Sequence, residues 1–194
     1  MDVDKCQENL RKAIIAISPV HENALNELRQ FSIYKETGAK DFFCKAGDYS
    51  LYFAFVCSGI FKSYYCDIKG KEHCTGIFTQ NMFMLPLPSF LYRKPAFQFF
   101  QAVTESVTIN FKYADIENLS RKHLSVKHFL RTLIDREWIL KKELMLAGKY
   151  IYDYRSRFTL FREQFKEHIS QIPIDSISSY LNIPENQLRK LMDN

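Results

Sequence analysis

The chain has 194 residues, of which 46% are hydrophobic and 25% are charged, with 6 glycines and 6 prolines. This composition excludes a disordered chain, a collagen-like repeat and a mucin-like stalk, and its length predicts one large domain or two small ones. The net charge of +5 lies in residues 120–194, since residues 1–119 carry 13 basic and 13 acidic side chains. Such asymmetry is typical of a neutral half joined to a half that binds a polyanion.

Apolar segments long enough to cross a membrane are missing from the sequence. Arg93, Lys94 and Lys112 flank the most apolar region, which therefore falls short of the roughly 20 residues that a spanning helix needs. Charged residues precede any apolar run at the N-terminus, so we expect no signal peptide. The sequence predicts a soluble, cytoplasmic protein that does not bind membranes.

The 5 cysteines form no C-x-x-C pair, and we expect reduced thiols packed as small apolar side chains. Cys66, His73 and Cys74 lie close together in the sequence. A tetrahedral zinc site needs a second ligand pair, which is not found nearby. We therefore assign no metal site and no cofactor.

Apolar residues near the N-terminus recur with the spacing of a helix. Leu10 and Ile14 lie on one apolar stripe, and Pro19 is placed to begin a second helix whose apolar face holds Leu25 and Leu28. From residue 31 to residue 111, aromatic and β-branched residues alternate with short turn signals, which predicts strands.

Two interruptions are expected within the strand region. Residues 64–72 predict a hairpin, because Gly70 can adopt a positive φ. Residues 81–95 contain three prolines, which remove backbone donors, and so predict a loop or short helix.

Beyond Tyr113 the spacing of apolar residues becomes helical. Residues 120–148 predict a dimerisation helix, and we expect Gly148 to break it. The expected dimer interface is a seam with alternating spacings of 4 and 3, formed by Val126, Leu130, Leu133, Glu137, Leu140 and Leu144, and continued by Ala147. The alternative is an ordinary buried helix of a monomer, which the polar Glu137 favours.

Residues 174–192 have the pattern of a helix-turn-helix motif. Ser178 provides the small residue needed where two short helices cross. Asn182 stands at the turn, and asparagine tolerates the left-handed backbone conformation. Pro184 fits the first turn of the second helix. The apolar residues that join the two helices are Ile177, Leu181, Ile183, Leu188 and Leu191.

The second helix of this motif carries side chains suited to reading bases in the major groove of DNA. They are Glu185, Asn186, Gln187, Arg189 and Lys190. Contacts to phosphates are expected from Arg155, Arg157 and Lys166. The alternative is a helical hairpin whose charged face is only solvated.

The order of four segments resembles the cyclic-AMP receptor and fumarate-nitrate regulator (Crp/Fnr) superfamily of bacterial transcription factors. These segments are residues 55–65, residues 67–72, residues 101–106 and the stretch from Arg157 through the helix-turn-helix. The resemblance implies an α+β fold. An N-terminal β-roll sensor of the cyclic-nucleotide-binding jelly-roll type would occupy residues 1–119, and the dimerisation helix and hinge residues 120–148. A helix-turn-helix DNA-binding domain with little or no wing would occupy residues 149–194.

Two departures from the family pattern concern the sensor. The Phe-Gly-Glu segment and the Arg-Ser or Arg-Thr pair that grip a cyclic nucleotide are missing, and Ala96 stands where the phosphate-binding arginine is expected. The cysteine cluster of the oxygen-sensing branch is also missing, since Cys6 stands alone. We predict no tight binding of cyclic nucleotides. The candidate pocket residues are Met82, Phe83, Met84, Arg93, Phe97 and Phe99, which either line a site for an apolar effector or fill the pocket themselves.

The sequence thus predicts a homodimeric, sequence-specific DNA-binding transcription regulator. The resemblance implies a two-fold symmetric duplex site and RNA polymerase as partners. The alternative is a protein-interaction module on a degenerate regulator fold, which the weak basicity of residues 148–194 favours, with 7 basic and 6 acidic side chains. We expect no enzymatic activity, because the five histidines fit no nucleophile-elbow, P-loop or zinc-protease pattern.

Overall fold

The computed structural model describes residues 3–193. Side chains within this range are described except at Glu137, Trp138, Lys141, Lys142, Leu144, Met145 and Lys149.

Helices open the chain, strands follow, and helices close it. The first part comprises α1 (Val3–Ile17), α2 (Glu22–Gln30), β1 (Ile33–Thr37), β2 (Phe42–Cys44), β3 (Tyr52–Ser58), β4 (Phe61–Cys66), β5 (Glu72–Phe78), β6 (Phe83–Met84), α3 (Leu87–Tyr92), β7 (Phe99–Ala102) and β8 (Ser106–Lys112). The helical remainder comprises α4 (Tyr113–Lys122), α5 (Leu124–Ile134), a π-helical turn (Asp135–Leu140), α6 (Lys141–Ile151), α7 (Tyr154–Gln164), a 3₁₀ turn (Ile169–Gln171), α8 (Ile174–Leu181) and α9 (Glu185–Met192).

The strands form an antiparallel β-sandwich of two four-stranded sheets. One sheet has the order β1-β8-β3-β6 and the other the order β2-β7-β4-β5. Phe61 and Phe100 point inward between the sheets and are no more than 1% exposed. The order of strands and helices confirms the predicted α+β fold class.

The predicted β4–β5 hairpin is present, with Gly70 at a φ of 78°. The carboxylate of Asp67 accepts hydrogen bonds from the backbone N–H groups of Lys69 and Lys71, at 2.8 and 3.0 Å. Its second oxygen lies 3.0 Å from Nε2 of His73. The hydrogen bond with His73, followed by the two backbone bonds, lowers the pKa of Asp67. Local bonds therefore hold the turn.

The expected short helix among the prolines is α3, and both N-terminal helices are also confirmed. The predicted role of Pro19 is wrong, because α2 begins at Glu22 with His21 as its N-cap. Leu10 and Ile14 of α1 pack into a core that they share with α2, α4, α5 and the β1-β8-β3-β6 sheet.

The prediction that all cysteines are reduced is wrong. Cys6 of α1 and Cys57 of β3 form a disulfide with a Cα–Cα distance of 5.5 Å. The two positions are 51 residues apart, so no local spacing could reveal the pair. Free thiols occur at Cys44, Cys66 and Cys74.

The predicted long helix runs over residues 124–151 and contains the π-helical turn near its middle. The expected break at Gly148 is wrong, because α6 continues to Ile151 and ends where Tyr152 becomes extended. At the other end, His123 leaves the helical conformation and separates α5 from α4. None of the helices in the part of the chain that is described has the length and apolar character needed to cross a bilayer.

The predicted seam does not form one continuous exposed stripe. Val126 and Leu133 are 1% and 2% exposed and pack in the core of the same chain, while Leu130 packs against that core. Leu140 is 54% exposed, whereas the side chains of Glu137 and Leu144 lie outside the described set. A π-helical turn inserts extra residues into the helical repeat and so changes which face the following residues occupy. The first half of the seam is therefore core, as the alternative interpretation expected.

Candidate nucleic-acid interface

The helices α8 and α9, which we call the helix pair, meet at a left-handed turn. Asn182 has φ 52° and ψ 48°, as its residue type predicted. The hydroxyl of Ser178 donates to the carbonyl of Ile183 at 2.7 Å. The small residue at the crossing therefore also closes the turn, which is a role that the spacing alone did not indicate.

Buried apolar side chains join the helix pair to α7. Ile177, Ile183 and Leu188 are at most 1% exposed. Phe161 of α7 and Phe165, the C-cap of α7, belong to the same cluster, and their ring centroids are 4.6 Å apart. The apolar set predicted for the helix pair is confirmed as part of a core that fixes α9 on α7.

Arg157 ties α7 to the turn of the helix pair. Its Nη1 donates to the carbonyl of Leu181 at 2.7 Å and to that of Asn182 at 3.3 Å. The last carbonyls of a helix lack intrahelical partners, so the guanidinium satisfies the end of α8. Arg157 therefore holds the turn, a role that the sequence did not indicate, and its contact with phosphate stays a prediction.

The outer face of α9, formed by Asn186, Arg189 and Lys190, points away from that core. All three side chains are exposed, and Leu188 lies on the opposite side. Glu185 is also exposed and accepts a hydrogen bond from Arg189 one turn later. Gln187 is half-buried. The predicted base-reading residues are thus brought together on one short helix, with Gln187 the least accessible.

The other two predicted phosphate-binding residues lie on the surface. Arg155 in the first turn of α7 and Lys166 after its end are both exposed. Both therefore stay candidates for phosphate contact.

The helix pair also contacts the sandwich. The backbone N–H of Cys74 in β5 donates to Oγ of Ser179 in α8 at 2.9 Å. Burial raises the pKa of the Cys74 thiol to about 12, so this cysteine is a neutral packing group. Sequence reasoning missed Ser179, because nothing in its local sequence indicates that its hydroxyl accepts a hydrogen bond from the backbone of β5, an edge strand that is distant in the chain.

A cleft of about 950 Å³ lies beside this contact. Its lining includes Tyr65 and His73 of the hairpin, Leu146 of α6, and Asn182 and Glu185 of the helix pair. Asn186, Arg189 and Lys190 are not among the described residues that line it. The outer face of α9 is therefore separate from the cleft.

The candidate effector residues do not converge on one pocket. Phe83 packs in the core with α1 and α5, whereas Met84 lies between the two sheets. Met82 packs against the cluster of the C-terminal helices. Neighbouring residues on a strand point to opposite faces, which separates this run.

The other three candidates lie outside these cores. Phe97 is 59% exposed, and Phe99 stacks on Tyr64 with a centroid distance of 5.1 Å. The guanidinium of Arg93 lies 5.3 Å from the centroid of the Tyr113 ring. The structure therefore does not bring the six candidates together, and a site for an apolar effector stays a prediction.

Asp153 begins α7 just after the long helix. Its carboxylate accepts a hydrogen bond from the backbone N–H of Ser156 at 2.7 Å, which is the largest cause of its lowered pKa. A pKa that folding lowers stabilises the fold above the unfolded pKa, and this stabilisation is lost as the pH falls through the folded value.

We expect acid to weaken the first turn of α7, since protonation of Asp153 at a pH below the ordinary Asp pKa of about 3.9 removes the charge that strengthens its bond to Ser156. The protection of the Ser156 amide, which is its exchange rate relative to the intrinsic rate at the same pH, should fall through this range in the wild type. The Asp153→Asn variant keeps an oxygen acceptor but does not titrate, so it should lack the additional acid step. Equal acid steps in both proteins would contradict the assignment.

No family model matches the chain, and no curated protein matches it. Among solved structures, a putative cyclic nucleotide binding protein from Ruegeria pomeroyi is 14% identical with a TM-score of 0.71, covering 99% of this chain and 87% of that one. FixK2 from Bradyrhizobium japonicum is 12% identical with a TM-score of 0.71, covering 84% of this chain and 83% of that one. The Thermus thermophilus catabolite activator protein is 14% identical with a TM-score of 0.57, covering 89% of this chain and 82% of that one.

These similarities establish the fold. The structural neighbours are Crp/Fnr-family regulators and cyclic-nucleotide-binding proteins, which confirms at the level of the fold the resemblance drawn from the sequence. In the comparison with the solved chain of cAMP-bound PfPKA-R (141–441), the match spans only 43% of that chain. The match to the Ruegeria pomeroyi protein extends over both the sandwich and the C-terminal helices, because it covers 99% of this chain.

Proposed function

We propose that this protein is a sequence-specific, DNA-binding transcription regulator that acts as a homodimer without a cyclic nucleotide. The observation that carries the proposal is the outer face of α9, where Asn186, Arg189 and Lys190 are exposed on a helix that a left-handed turn and a buried core hold in place. Asparagine can pair bidentately with adenine, and arginine or lysine can bind guanine. The helix pair thus acts as a helix-turn-helix motif with α9 in the major groove.

The second half of the long helix supplies the dimer contact in this proposal. Exposed apolar side chains recur there at Ile139, Leu146 and Tyr150, which are 58%, 54% and 89% exposed. The spacings of seven and four place them on one side of the second half of the long helix. Burying such a stripe against a second copy removes apolar surface from water. Two copies would present their α9 helices to half-sites about 34 Å apart.

The interior of the sandwich supports the absence of a cyclic nucleotide. Ala96 is 4% exposed, and its backbone N–H and carbonyl pair with Asp48 and Gly47 at 2.8 and 2.7 Å. A guanidinium does not fit in place of so tightly enclosed a methyl group. Without it, a buried phosphate would lack charge-assisted hydrogen bonds worth about 1.5–3 kcal/mol each. Submillimolar binding of cyclic AMP or cyclic GMP in calorimetry would contradict this part of the proposal.

The DNA-binding test begins with selection from random duplexes on the purified full chain. The selected sequences should have two-fold symmetry. Alanine substitution of Lys190 or Arg189 should weaken binding about 5- to 150-fold, which corresponds to the roughly 1–3 kcal/mol of one good base contact. Lys69→Ala is the matched control, since Lys69 is exposed at the hairpin tip on the sandwich.

Sedimentation and circular dichroism should show that the variants keep the fold and the oligomeric state of the wild type. Normal DNA affinity in both α9 variants would show that the assigned roles are wrong. Binding should also weaken steeply with salt, because contacts to phosphate release counterions. A salt-independent interaction with a protein partner would favour the interaction module instead.

A further inference from the structure

The disulfide between Cys6 and Cys57 connects the N-terminal helix α1 to β3, an inner strand of the β1-β8-β3-β6 sheet. Both cysteines are buried, at 4% and 3% exposure, and α1 packs along β3 and α5. Cys6 lies in the first turns of α1, which begins at Val3. Helix ends open locally at low cost in free energy, so a small-molecule thiol can reach the bond without unfolding of the sandwich.

From the disulfide, α1 leads directly to the long helix. Leu10 and Ile14 share one buried cluster with Phe129 and Leu133 of α5. At the other end of α1, the carbonyl of Ala16 accepts a hydrogen bond from Nη1 of Arg136 at 3.4 Å. Arg136 lies within the π-helical turn. The N-terminal helix therefore supports the long helix as far as this turn.

The π-helical turn is the point where the environment of the long helix changes. Leu133, just before it, is 2% exposed, whereas Ile139 and Leu140, at its end, are 58% and 54% exposed. A π-helical turn inside an α-helix often marks a functional position. Support from α1 thus ends where the apolar stripe of the proposed dimer contact begins.

We propose that the Cys6–Cys57 pair is a reversible redox switch that sets how firmly α1 supports the long helix at its π-helical turn, and thereby tunes dimerisation. The inference deepens the proposed function and rests on the homodimer. The oxidant is a small disulfide such as oxidised glutathione. The thiolate of one cysteine attacks it, forming a mixed disulfide and releasing one molecule of glutathione. The thiolate of the other cysteine then displaces the second glutathione, so that two thiols are oxidised and one disulfide is reduced.

The remaining cysteines are poorly placed to compete. Cys44 and Cys74 are also buried, but they lie on strands β2 and β5 and not in the first turns of a helix, so the local opening of α1 does not expose them. Cys66 is exposed at the end of β4, which belongs to the sheet that does not contain Cys57. Its replacement is therefore a suitable control.

The first measurement is the redox state of the pair in the full chain, equilibrated in buffers that range from reduced to oxidised glutathione. Alkylation followed by mass spectrometry should show Cys6 and Cys57 titrating together and reversibly, with the same midpoint in Cys66→Ser. A bond that resists reduced glutathione until the whole chain unfolds would overturn the proposal.

The second measurement is hydrogen exchange of the oxidised and reduced wild type. Reduction should accelerate exchange about tenfold or more in α1 and also around the π-helical turn, and the Cys57→Ser variant should match the reduced protein. Acceleration confined to the first turns of α1 would overturn the coupling to the long helix.

Sedimentation of the same samples should show a change in the dimer dissociation constant between the two redox states. An unchanged constant in a dimeric protein would overturn the proposed effect on dimerisation. If the chain is monomeric in both states, the homodimer itself fails, while the exchange result still decides whether α1 is coupled to the π-helical turn.

Discussion

A Gly59→Ala variant is expected to lose about 3–5 kcal/mol of folding free energy, the largest effect that we predict for a single methyl group. Gly59 has a φ of 84°, which disfavours any residue with a Cβ. A Cβ there would also lie 2.5 Å from the carbonyl oxygen of Glu105 and 2.7 Å from Cα of Ser106. Both neighbours are backbone atoms, which cannot move aside as a flexible side chain can. The turn between β3 and β4 therefore requires glycine for two independent reasons.

The matched control is Gly70→Ala in the β4–β5 hairpin. Gly70 has a similar φ of 78°, but a Cβ there would meet no atom within 4 Å. Only the backbone penalty of about 1–2 kcal/mol should remain. Urea unfolding of the two variants separates strain from steric overlap. Equal losses would show that the close approach of residues 105–106 is unimportant.

Arg157→Ala is expected to destabilise the C-terminal helices by about 3 kcal/mol and to weaken DNA binding more than alanine at any residue of the outer face of α9. The substitution removes both hydrogen bonds to the carbonyls of Leu181 and Asn182. Each bond from a charged donor contributes about 1.5–3 kcal/mol. The left-handed turn would lose its anchor to α7, so that the angle of α9 is no longer determined.

Two variants test whether this effect belongs to the position or only to the charge. Arg162→Ala removes an exposed guanidinium from the same helix, one that lies 5.8 Å from the centroid of the Phe158 ring. Arg157→Lys keeps the charge but cannot donate as a planar fork. DNA affinity and urea unfolding should be nearly normal in Arg162→Ala and intermediate in Arg157→Lys. Equal loss of affinity in both alanine variants would indicate that Arg157 acts by charge alone.

Local patterns predicted the elements that depend on nearby residues. The hairpin around Gly70, the short helix in the proline-rich segment and the left-handed Asn182 were all expected and are all present. In each case the energy that selects the conformation comes from atoms within a few residues along the chain. The exposed face of α9 was predictable for the same reason, because a helical repeat places Leu188 opposite Asn186 and Lys190.

The long helix shows where such patterns fail. Its heptad spacing was real, but spacing cannot distinguish burial within one chain from burial between two chains. Val126 and Leu133 are covered by α1 and the sandwich, and the π-helical turn shifts the residues beyond it to a different face. Gly148 stays helical, since a single glycine costs only about 1 kcal/mol in a helix.

The order of strands and helices, the turn of the helix pair and the polar character of α9 were determined by the sequence itself, because short-range backbone preferences and side-chain periodicity control them. The tertiary structure decided the Cys6–Cys57 bond, the role of Arg157, the contact of Ser179 with Cys74 and the division of the expected pocket among separate cores. These features join residues tens of positions apart. Their energies depend on which surfaces meet after folding, which no local spacing encodes.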